Sequence, residues 1–278
     1  MSDSVAEARV AIEAAGALPD EELDLAAVAL QFARIDAPEA DWRAAAGRIS
    51  SLVRAVLLEQ PPSDAEARRA LLAHVIHDEG GYAGDTETYD DPRNANLIRV
   101  TERRRGLPVA IGLLWLHAAE AAGWSARGLD FPGHFLIALD GAQKGGSVVV
   151  DPFGGGAALP APALRALIKQ MEGPAAELRP GMLAPMSRRA VLLRLQTNIR
   201  LRRLHDNDVE GALTCTDDML RLAPDAAPLW REAAVMNARL GRLGAAIESM
   251  ERFLGLVPTG DVAARGREMI EEWRGRLN

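Results

Sequence analysis

Apolar residues recur every three or four positions through most of the segment from Ser4 to Gly80. The run LDLAAVALQFARI shows this spacing between Leu25 and Ile35, as one face of an α-helix requires. WRAAAGRISSLVRAVLL repeats the pattern, and SDAEARRALLAHVI opens with Ser63 before acidic residues, as helix N-termini often do. We therefore predict helices over residues 4–80, followed by an irregular, turn-rich segment in GGYAGDTETYDDPRNAN.

A continuous apolar run then predicts a buried helix from Pro108 to about Ala122. Proline is favoured at the first helical position, and Gly123 suits a left-handed C-terminal cap. Three short strand-like runs follow, SARGLDF, HFLIAL and SVVVD, separated by PG and by DGAQKGG, a hairpin-type connection. One helix against a few antiparallel strands is an α+β core.

Helical periodicity returns after residue 186, and there it contains a repeat. LRLAPD, which begins at Leu220, matches LGLVPT, which begins at Leu254. This offset equals the period of a tetratricopeptide repeat, which is about 34 residues. Trp230, Ala246 and Pro258 occupy the aromatic, small and proline positions of that repeat. We predict two such repeats and a last helix, DVAARGREMIEEWRGRL.

The helix that leads into these repeats is amphipathic. In SRRAVLLRLQTNIRLRRL, the candidates for its inward stripe are Val191, Leu195, Ile199 and either Leu201 or Leu204. Its arginines are predicted to form a solvated face.

Composition excludes several classes of protein. The 278 residues are 48% hydrophobic and carry a net charge of −7, concentrated as −11 in residues 1–96. A nucleic-acid-binding domain would instead show a basic face. No uncharged apolar run is long enough for a membrane span, and MSDSVAEARV does not resemble a secretion signal. With Cys215 as the single cysteine, no internal disulfide is possible, so we expect a cytoplasmic protein.

The central α+β segment carries a histidine and an aspartate in an arrangement typical of thiol hydrolases. His134 opens the strand HFLIAL, and Asp151 ends the next strand, SVVVD. Such a pair would serve a nucleophilic cysteine at a helix N-terminus, where the helix dipole lowers the thiol pKa. The residue at that position is Pro108, which has neither a thiol nor a hydroxyl group. Covalent acyl transfer is therefore excluded there.

The run from Arg105 to Pro152 resembles a transglutaminase-like core, which is papain-like. That superfamily opens its helix with Gly-x-Cys and continues with a glycine, a histidine strand and an Asp-Pro strand; this chain departs from it only at Pro108. YDDPRNANLIRVTERRRGLPVAIGLLWL, PGHFLIAL and VDPFGGG resemble a bacterial transglutaminase-like family with C-terminal tetratricopeptide repeats, the invasion-gene-regulator type. Members carry Gly-Ile-Pro in place of Gly-x-Cys, and the resemblance extends from Leu23 to Met250.

The resemblance implies two domains. We predict a transglutaminase-like domain with N-terminal helices over residues 1–185 and an all-α repeat domain over residues 186–278. The fold class is α+β with a small antiparallel sheet.

Three roles stay open for His134 and Asp151. They could tie two strands together, line a ligand pocket, or activate a water molecule. Cys215 lies inside a repeat helix, where a small packing residue is the ordinary interpretation.

Other motifs are weaker. His74 and His77 have a spacing that can chelate a metal, but no third ligand is evident, so we predict neither a metal nor a cofactor. The arginines of RRR, residues 103–105, could pair with the acidic N-terminal region, bind a partner's carboxylates or touch nucleic acid.

We predict a non-catalytic protein that binds a protein or peptide partner through its C-terminal repeats, as a scaffold or regulator. The alternative is a hydrolase or amidase that uses His134 and Asp151 without a covalent intermediate. No nucleic-acid or membrane partner is expected.

Overall fold

The computed structural model describes residues 2–142 and 146–277. The N-terminal region is helical, as predicted. Its helices are α1 (Ser2–Gly16), α2 (Leu25–Asp36), α3 (Trp42–Leu58) and α4 (Ala65–Ala73), with a 3₁₀ turn at Asp20–Glu22. Helix α4 continues into a π-helical turn at His74–Glu79.

Aspartates begin three of these helices. The side chains of Asp24, Asp41 and Asp64 each accept a hydrogen bond from the backbone amide three residues later, at 2.8–3.0 Å. These contacts satisfy amides that the first helical turn leaves without partners. The prediction that Ser63 begins α4 is therefore wrong by one residue, because the Asp64 carboxylate takes this role.

The turn-rich segment that follows leads into the buried helix. It contains a two-residue strand, β1 (Ala83–Gly84), and a 3₁₀ turn at Pro92–Asn94. Helix α5 (Leu97–Arg103) and strand β2 (Arg105–Gly106) come next, and β1 pairs with β2 in parallel. Helix α6 (Pro108–Ala121) begins directly after this pair. Gly123 has a φ of +71°, as expected for the residue that ends the helix.

The central sheet has five strands in the order β6-β5-β4-β3-β7. The three predicted strands are β3 (Ala126–Phe131), β4 (His134–Asp140) and β5 (Ser147–Asp151). The pairs β3–β4 and β4–β5 are antiparallel, and Asp140 lies opposite Ser147 across the DGAQKGG connection. Residues 143–145 of that connection lie outside the described part. The edges are the two-residue strands β6 (Ala157–Ala158) and β7 (Ala184–Pro185).

Helix α6 packs against one face of this sheet. Eleven of its fourteen residues are buried, so its apolar character on all sides has a structural reason. On the opposite face, Phe131 and Leu136 form a hydrophobic cluster with Leu164 and Ile168 of α7 (Ala161–Glu172). The predicted α+β class is confirmed.

The C-terminal helices reproduce the offset of the repeat. They are α8 (Arg188–His205), α9 (Val209–Leu222), α10 (Ala227–Arg239), α11 (Leu243–Leu256) and α12 (Asp261–Leu277). Helices α9 and α11 each contain 14 residues and begin 34 positions apart. Ala234 and Ala246 are completely buried, so α10 and α11 approach closely at these small residues.

The inward stripe of α8 is largely as predicted, but the prediction of a solvated arginine face is wrong, because none of the arginines of α8 is exposed and Arg200 is buried. Val191, Leu195 and Ile199 are buried, whereas Leu201 is 54% exposed and Leu204 is only partly buried. Leu201 is excluded from the stripe because two residues correspond to about 200° around a helix, which places it opposite Ile199.

The chain forms two compact units. The first comprises residues 1–8 and 19–195, and the second comprises residues 9–18 and 196–278. Among the described residues, none of the helices combines the length and the apolar character that spanning a bilayer requires.

Candidate functional site

The turn before α6 is held in place by the loop that follows β1, of which Asp85 and Asn94 are buried. The amide of Leu107 donates to the carbonyl of Asn94 at 2.9 Å, and the amide of Asp85 donates to the carbonyl of Gly106 at 3.1 Å. The amide group of Asn94, which is completely buried, donates to the Thr88 carbonyl at 2.7 Å. These contacts fix the backbone that presents the first residue of α6.

That first residue is Pro108, and it is buried. Helix α6 has no side-chain cap, since Leu107 occupies the N-cap position. The proline ring therefore occupies the position where a thiol hydrolase presents its sulfur. It supplies no proton, no nucleophile and no amide donor.

The structure brings His134 and Asp151 together. Nε2 of His134 lies 2.9 Å from Oδ1 of Asp151, and since a carboxylate only accepts, the imidazole is the donor. The same oxygen accepts a hydrogen bond of 2.9 Å from the amide of Phe153. Nδ1 of His134 makes no hydrogen bond within the described residues. The two predicted residues therefore lie within hydrogen-bond distance of each other; this distance does not define their role.

The surroundings of Asp151 favour its ionised form. Burial of the carboxyl group would raise the pKa of Asp151. The hydrogen bonds from His134 and from the amides of Phe153 and Gly154 outweigh that effect and hold this pKa below its ordinary value. The pair is therefore a carboxylate held by an imidazole and two backbone amides.

Phe153 packs against the imidazole. The two rings meet edge to face with their centroids 6.0 Å apart, and the His134 side chain is only 9% exposed. Phe153 also packs on Gly84, where an added Cβ would lie 2.3 Å from the ring. Gly84 is paired with Gly106 of the turn before α6. The phenylalanine ring thus stands between that turn and His134.

An ion pair secures the loop beside this turn. Asp85 is 5% exposed, and Arg103 donates to its carboxylate at 2.9 Å. Burial would raise the pKa of Asp85, but hydrogen bonds from Thr88, Asn94 and Arg103 outweigh it and lower that pKa well below its ordinary value. Of the three interpretations of the RRR motif, pairing with the acidic N-terminal region is the one that Arg103 follows.

The two histidines of the possible metal pair point to different surroundings. His74 is exposed, with Nδ1 3.4 Å from Oδ2 of Asp78. His77 is half-buried: its Nδ1 lies 2.5 Å from the Tyr82 carbonyl, and its Nε2 accepts a hydrogen bond of 3.1 Å from the Trp115 indole. Burial lowers the pKa of His77, which favours the neutral ring. In that ring Nδ1 carries the proton and Nε2 accepts. Both ring nitrogens of His77 are therefore already bonded to protein groups.

Metal ligation and thiol chemistry find little support elsewhere in the described chain. Among the described residues, no group of three or more His, Cys, Asp or Glu side chains is arranged to hold a metal ion. Cys215 is buried in α9, with its sulfur 3.7 Å from the Gln196 carbonyl. It is a packing residue of the second unit, as its position in a repeat helix indicates.

The comparisons with known proteins decide the family. The family model of the transglutaminase-like superfamily matches residues 40–197, more than half of the chain. The chain belongs to this superfamily. A tetratricopeptide-repeat model matches residues 199–271 of the same transglutaminase-like protein, so the predicted combination of domains is confirmed.

Several curated proteins are similar to this transglutaminase-like chain. A UPF0162 protein of Xylella fastidiosa is 30% identical over 244 residues, which cover 86% of each chain. A UPF0162 protein of Vibrio cholerae is 28% identical over 200 residues, covering 72% of this chain and 73% of the relative. F-box only protein 21 of Mus musculus is 27% identical over 113 residues, which cover 38% of this chain and 17% of that protein. No solved structure matches.

Sequence reasoning missed the residues that surround the transglutaminase-like pair. Phe153 was visible in VVVDPFGGG as an aromatic two residues after Asp151, and that proximity is the signal that could have identified it. Gly84 and the bond between His77 and Trp115 had no comparable signal, because their partners lie in distant parts of the sequence.

Proposed function

We propose that this protein is a non-catalytic member of its superfamily, which binds a protein or peptide partner through its C-terminal repeats as a scaffold or regulator. The observation that carries the proposal is the buried proline at the first position of α6. A transglutaminase-like reaction needs a nucleophile at this place that substrate can reach.

The burial of His134 supports the same conclusion. A general base has to come within hydrogen-bond distance of the proton that it removes. Here the ring of Phe153 meets the imidazole edge to face, and the side chain of His134 is 9% exposed. On this proposal the His134–Asp151 pair ties the start of β4 to the end of β5.

The repeats supply the binding surface. Stacked helix pairs present a continuous groove to extended or helical segments of other proteins. Their first helices carry two exposed apolar side chains, Leu201 and Val235. These two are separated by one repeat period and so occupy equivalent positions in successive repeats. Such side chains suit contact with a partner.

One observation favours the alternative, a hydrolase or amidase without a covalent intermediate. Nδ1 of His134 has no hydrogen-bond partner among the described residues, so a water molecule bound there could be activated. This alternative requires that His134→Ala abolishes turnover while the fold survives. On the scaffold proposal, panels of peptide, glutamine and isopeptide substrates give no activity that depends on His134.

The burial of the nucleophile position has a direct test. In a Cys215→Ser background, Pro108→Cys places a thiol at the start of α6. Because that position is buried, we expect iodoacetamide to label it at least about tenfold more slowly than in the urea-unfolded protein. Wild-type Cys215, which is also buried, is the reference thiol. Fast labelling in the folded state that His134→Ala slows would instead favour the catalytic alternative.

Partner binding is tested on the full chain. The wild-type chain and the double variant Leu201→Asp/Val235→Asp are each used as bait in affinity capture from a bacterial lysate. Val262→Asp, at an exposed position of α12, is the control. We expect at least one protein that the wild type and the control retain and the double variant loses. If no captured protein depends on Leu201 and Val235, the repeats are not the binding surface.

A further inference from the structure

The first helices of the two repeats are basic segments of an acidic protein. Residues 196–205 of α8 contain three arginines and no acid, and α10 contains two arginines and one glutamate. The whole chain has a net charge of −7, so these two helices reverse its sign locally. Those of their arginines that are exposed, Arg231 and Arg239, attract groups of opposite charge.

Two side-chain contacts connect α10 to the part of α8 that lies in the second unit and to the residues after it. Arg200 of α8 forms an ion pair with Glu232 of α10, and Arg239 of α10 donates to the side chain of Asn207, which follows α8. The one acid of α10 is therefore already taken by a buried arginine. Leu201 follows Arg200 directly and is 54% exposed.

Three residues of α10 form a line along the helix. Arg231, Val235 and Arg239 are spaced by four residues, so their side chains lie on one face at successive turns. All three are exposed, and Val235 is 47% exposed. In the described part of the chain neither arginine has a carboxylate partner; Arg231 makes no hydrogen bond, and Arg239 bonds only an amide oxygen. Together with Leu201 they make up what we call the α10 face.

We propose that the α10 face binds an extended acidic peptide segment in which one apolar side chain lies between two carboxylates. The apolar side chain would rest on Val235 and Leu201, and the carboxylates would pair with Arg231 and Arg239. This inference rests on the proposed scaffold function and names the chemistry of its partner.

The spacing fixes the pattern of the peptide. Eight residues along α10 separate the two arginines by about 12 Å. An extended peptide rises about 3.3 Å per residue, so carboxylates four residues apart span about 13 Å. Its middle residue then lies opposite Val235. The pattern is acid-x-apolar-x-acid, and guanidinium–carboxylate pairs would set its register.

The experiment measures fluorescence anisotropy with the full chain and a labelled peptide, Gly-Glu-Ser-Leu-Ser-Glu-Gly. Two peptides are compared with it: one of the same composition with both glutamates on one side of the leucine, and one with lysines in place of the glutamates. We expect the patterned peptide to bind at least about fivefold more tightly than the first and the lysine peptide not to bind. Equal binding of the patterned peptide and its rearranged form would overturn the proposal.

Matched variants separate a specific site from net charge. Arg231→Glu with Arg239→Glu is expected to weaken binding by about tenfold or more. Arg252→Glu with Arg265→Glu makes the same charge change at exposed arginines of α11 and α12, and it should weaken binding less than about twofold. Similar losses in both pairs would mean attraction by net charge only and would overturn the site.

The last ligand in the anisotropy experiment is a single-stranded DNA oligonucleotide that carries the same fluorescent label. If it binds more tightly than the patterned peptide, and the Arg231/Arg239 variant abolishes that binding, the partner is a nucleic acid and the proposal is wrong. The scaffold proposal and the acidic-segment proposal can be contradicted independently. A lysate partner that depends on Leu201 and Val235 but is indifferent to Arg231 and Arg239 would leave the scaffold intact and exclude the acidic segment.

Discussion

Replacing Gly112 by alanine is expected to lower the free energy of unfolding of the first unit by about 2 kcal/mol. An added Cβ would lie 2.4 Å from Cε1 of Phe135 and 3.3 Å from Cγ of Pro152. Phe135 is 1% exposed, so its ring has no free space into which to move. Overpacking of this kind costs about 1–3 kcal/mol, and more for Gly112→Val, whose branches add further volume.

The expected loss at Gly112 is a net value. Alanine is the better helix former by about 1 kcal/mol, which offsets part of the overlap with Phe135. Gly47→Ala is the matched control, because Gly47 lies in α3 of the same unit and an added Cβ meets nothing within 4 Å. We expect the control to stabilise the unit slightly in urea denaturation followed by circular dichroism. If both variants stabilise equally, α6 does not pack on β4 as closely as described.

The contrast between these two glycines shows what periodicity alone can predict. Both lie in segments whose helical nature follows from the sequence, and the elements around them are where the pattern of apolar residues places them. Whether a glycine faces open solvent or an aromatic ring depends on which strand lies across from it. For Gly112 that strand is β4, which begins at His134, and no local pattern encodes the contact.

The residues of the candidate site can be predicted from the sequence, but the contacts around them cannot. His134, Asp151 and Pro108 follow from short motifs at strand and helix ends, since such ends place functional side chains predictably. The contact of Phe153 with His134 does not follow from them, because it depends on Gly84 being small enough to admit the ring of Phe153. The burial of Arg200 does not follow from the sequence either, because it depends on an ion pair with Glu232 in another helix.

These missed contacts change the interpretation of the site more than the predicted residues do. From the motifs, His134 and Asp151 are compatible with a structural pair, a ligand pocket or water activation. With His134 9% exposed and Pro108 buried, the first of these needs no rearrangement of the fold, whereas the other two require a ligand or a water molecule to reach a nearly buried imidazole.

Asp151→Ala is therefore expected to destabilise the first unit by about 3 kcal/mol at neutral pH. Removing one partner of a buried pair costs about 3–5 kcal/mol, and the carboxylate, which is 17% exposed, belongs at the lower end of that range. His134→Ala should have an effect of similar size. A coupling energy of about 2 kcal/mol between the two substitutions in a double-mutant cycle would show that they act through each other.

The pH dependence gives this prediction a sign. The pKa of Asp151 is lower in the folded protein than its ordinary value, so the carboxylate stabilises the folded state at pH values above that ordinary value, which is about 3.9. This contribution is lost as the pH falls through the folded-state pKa. The difference in unfolding free energy between wild type and Asp151→Ala should therefore shrink as the pH falls below about pH 4.

The same measurements decide between a structural and a functional pair. A structural pair predicts that His134→Leu combined with Asp151→Leu recovers part of the stability lost by either alanine variant, because an apolar pair leaves no buried charge unpaired. Asp151→Asn should fall between wild type and alanine, since its side-chain oxygen still accepts from the Phe153 amide. If His134→Ala and Asp151→Ala each change stability by less than about 0.5 kcal/mol, the pair does not hold the two strands together, and a ligand or a reaction must account for it.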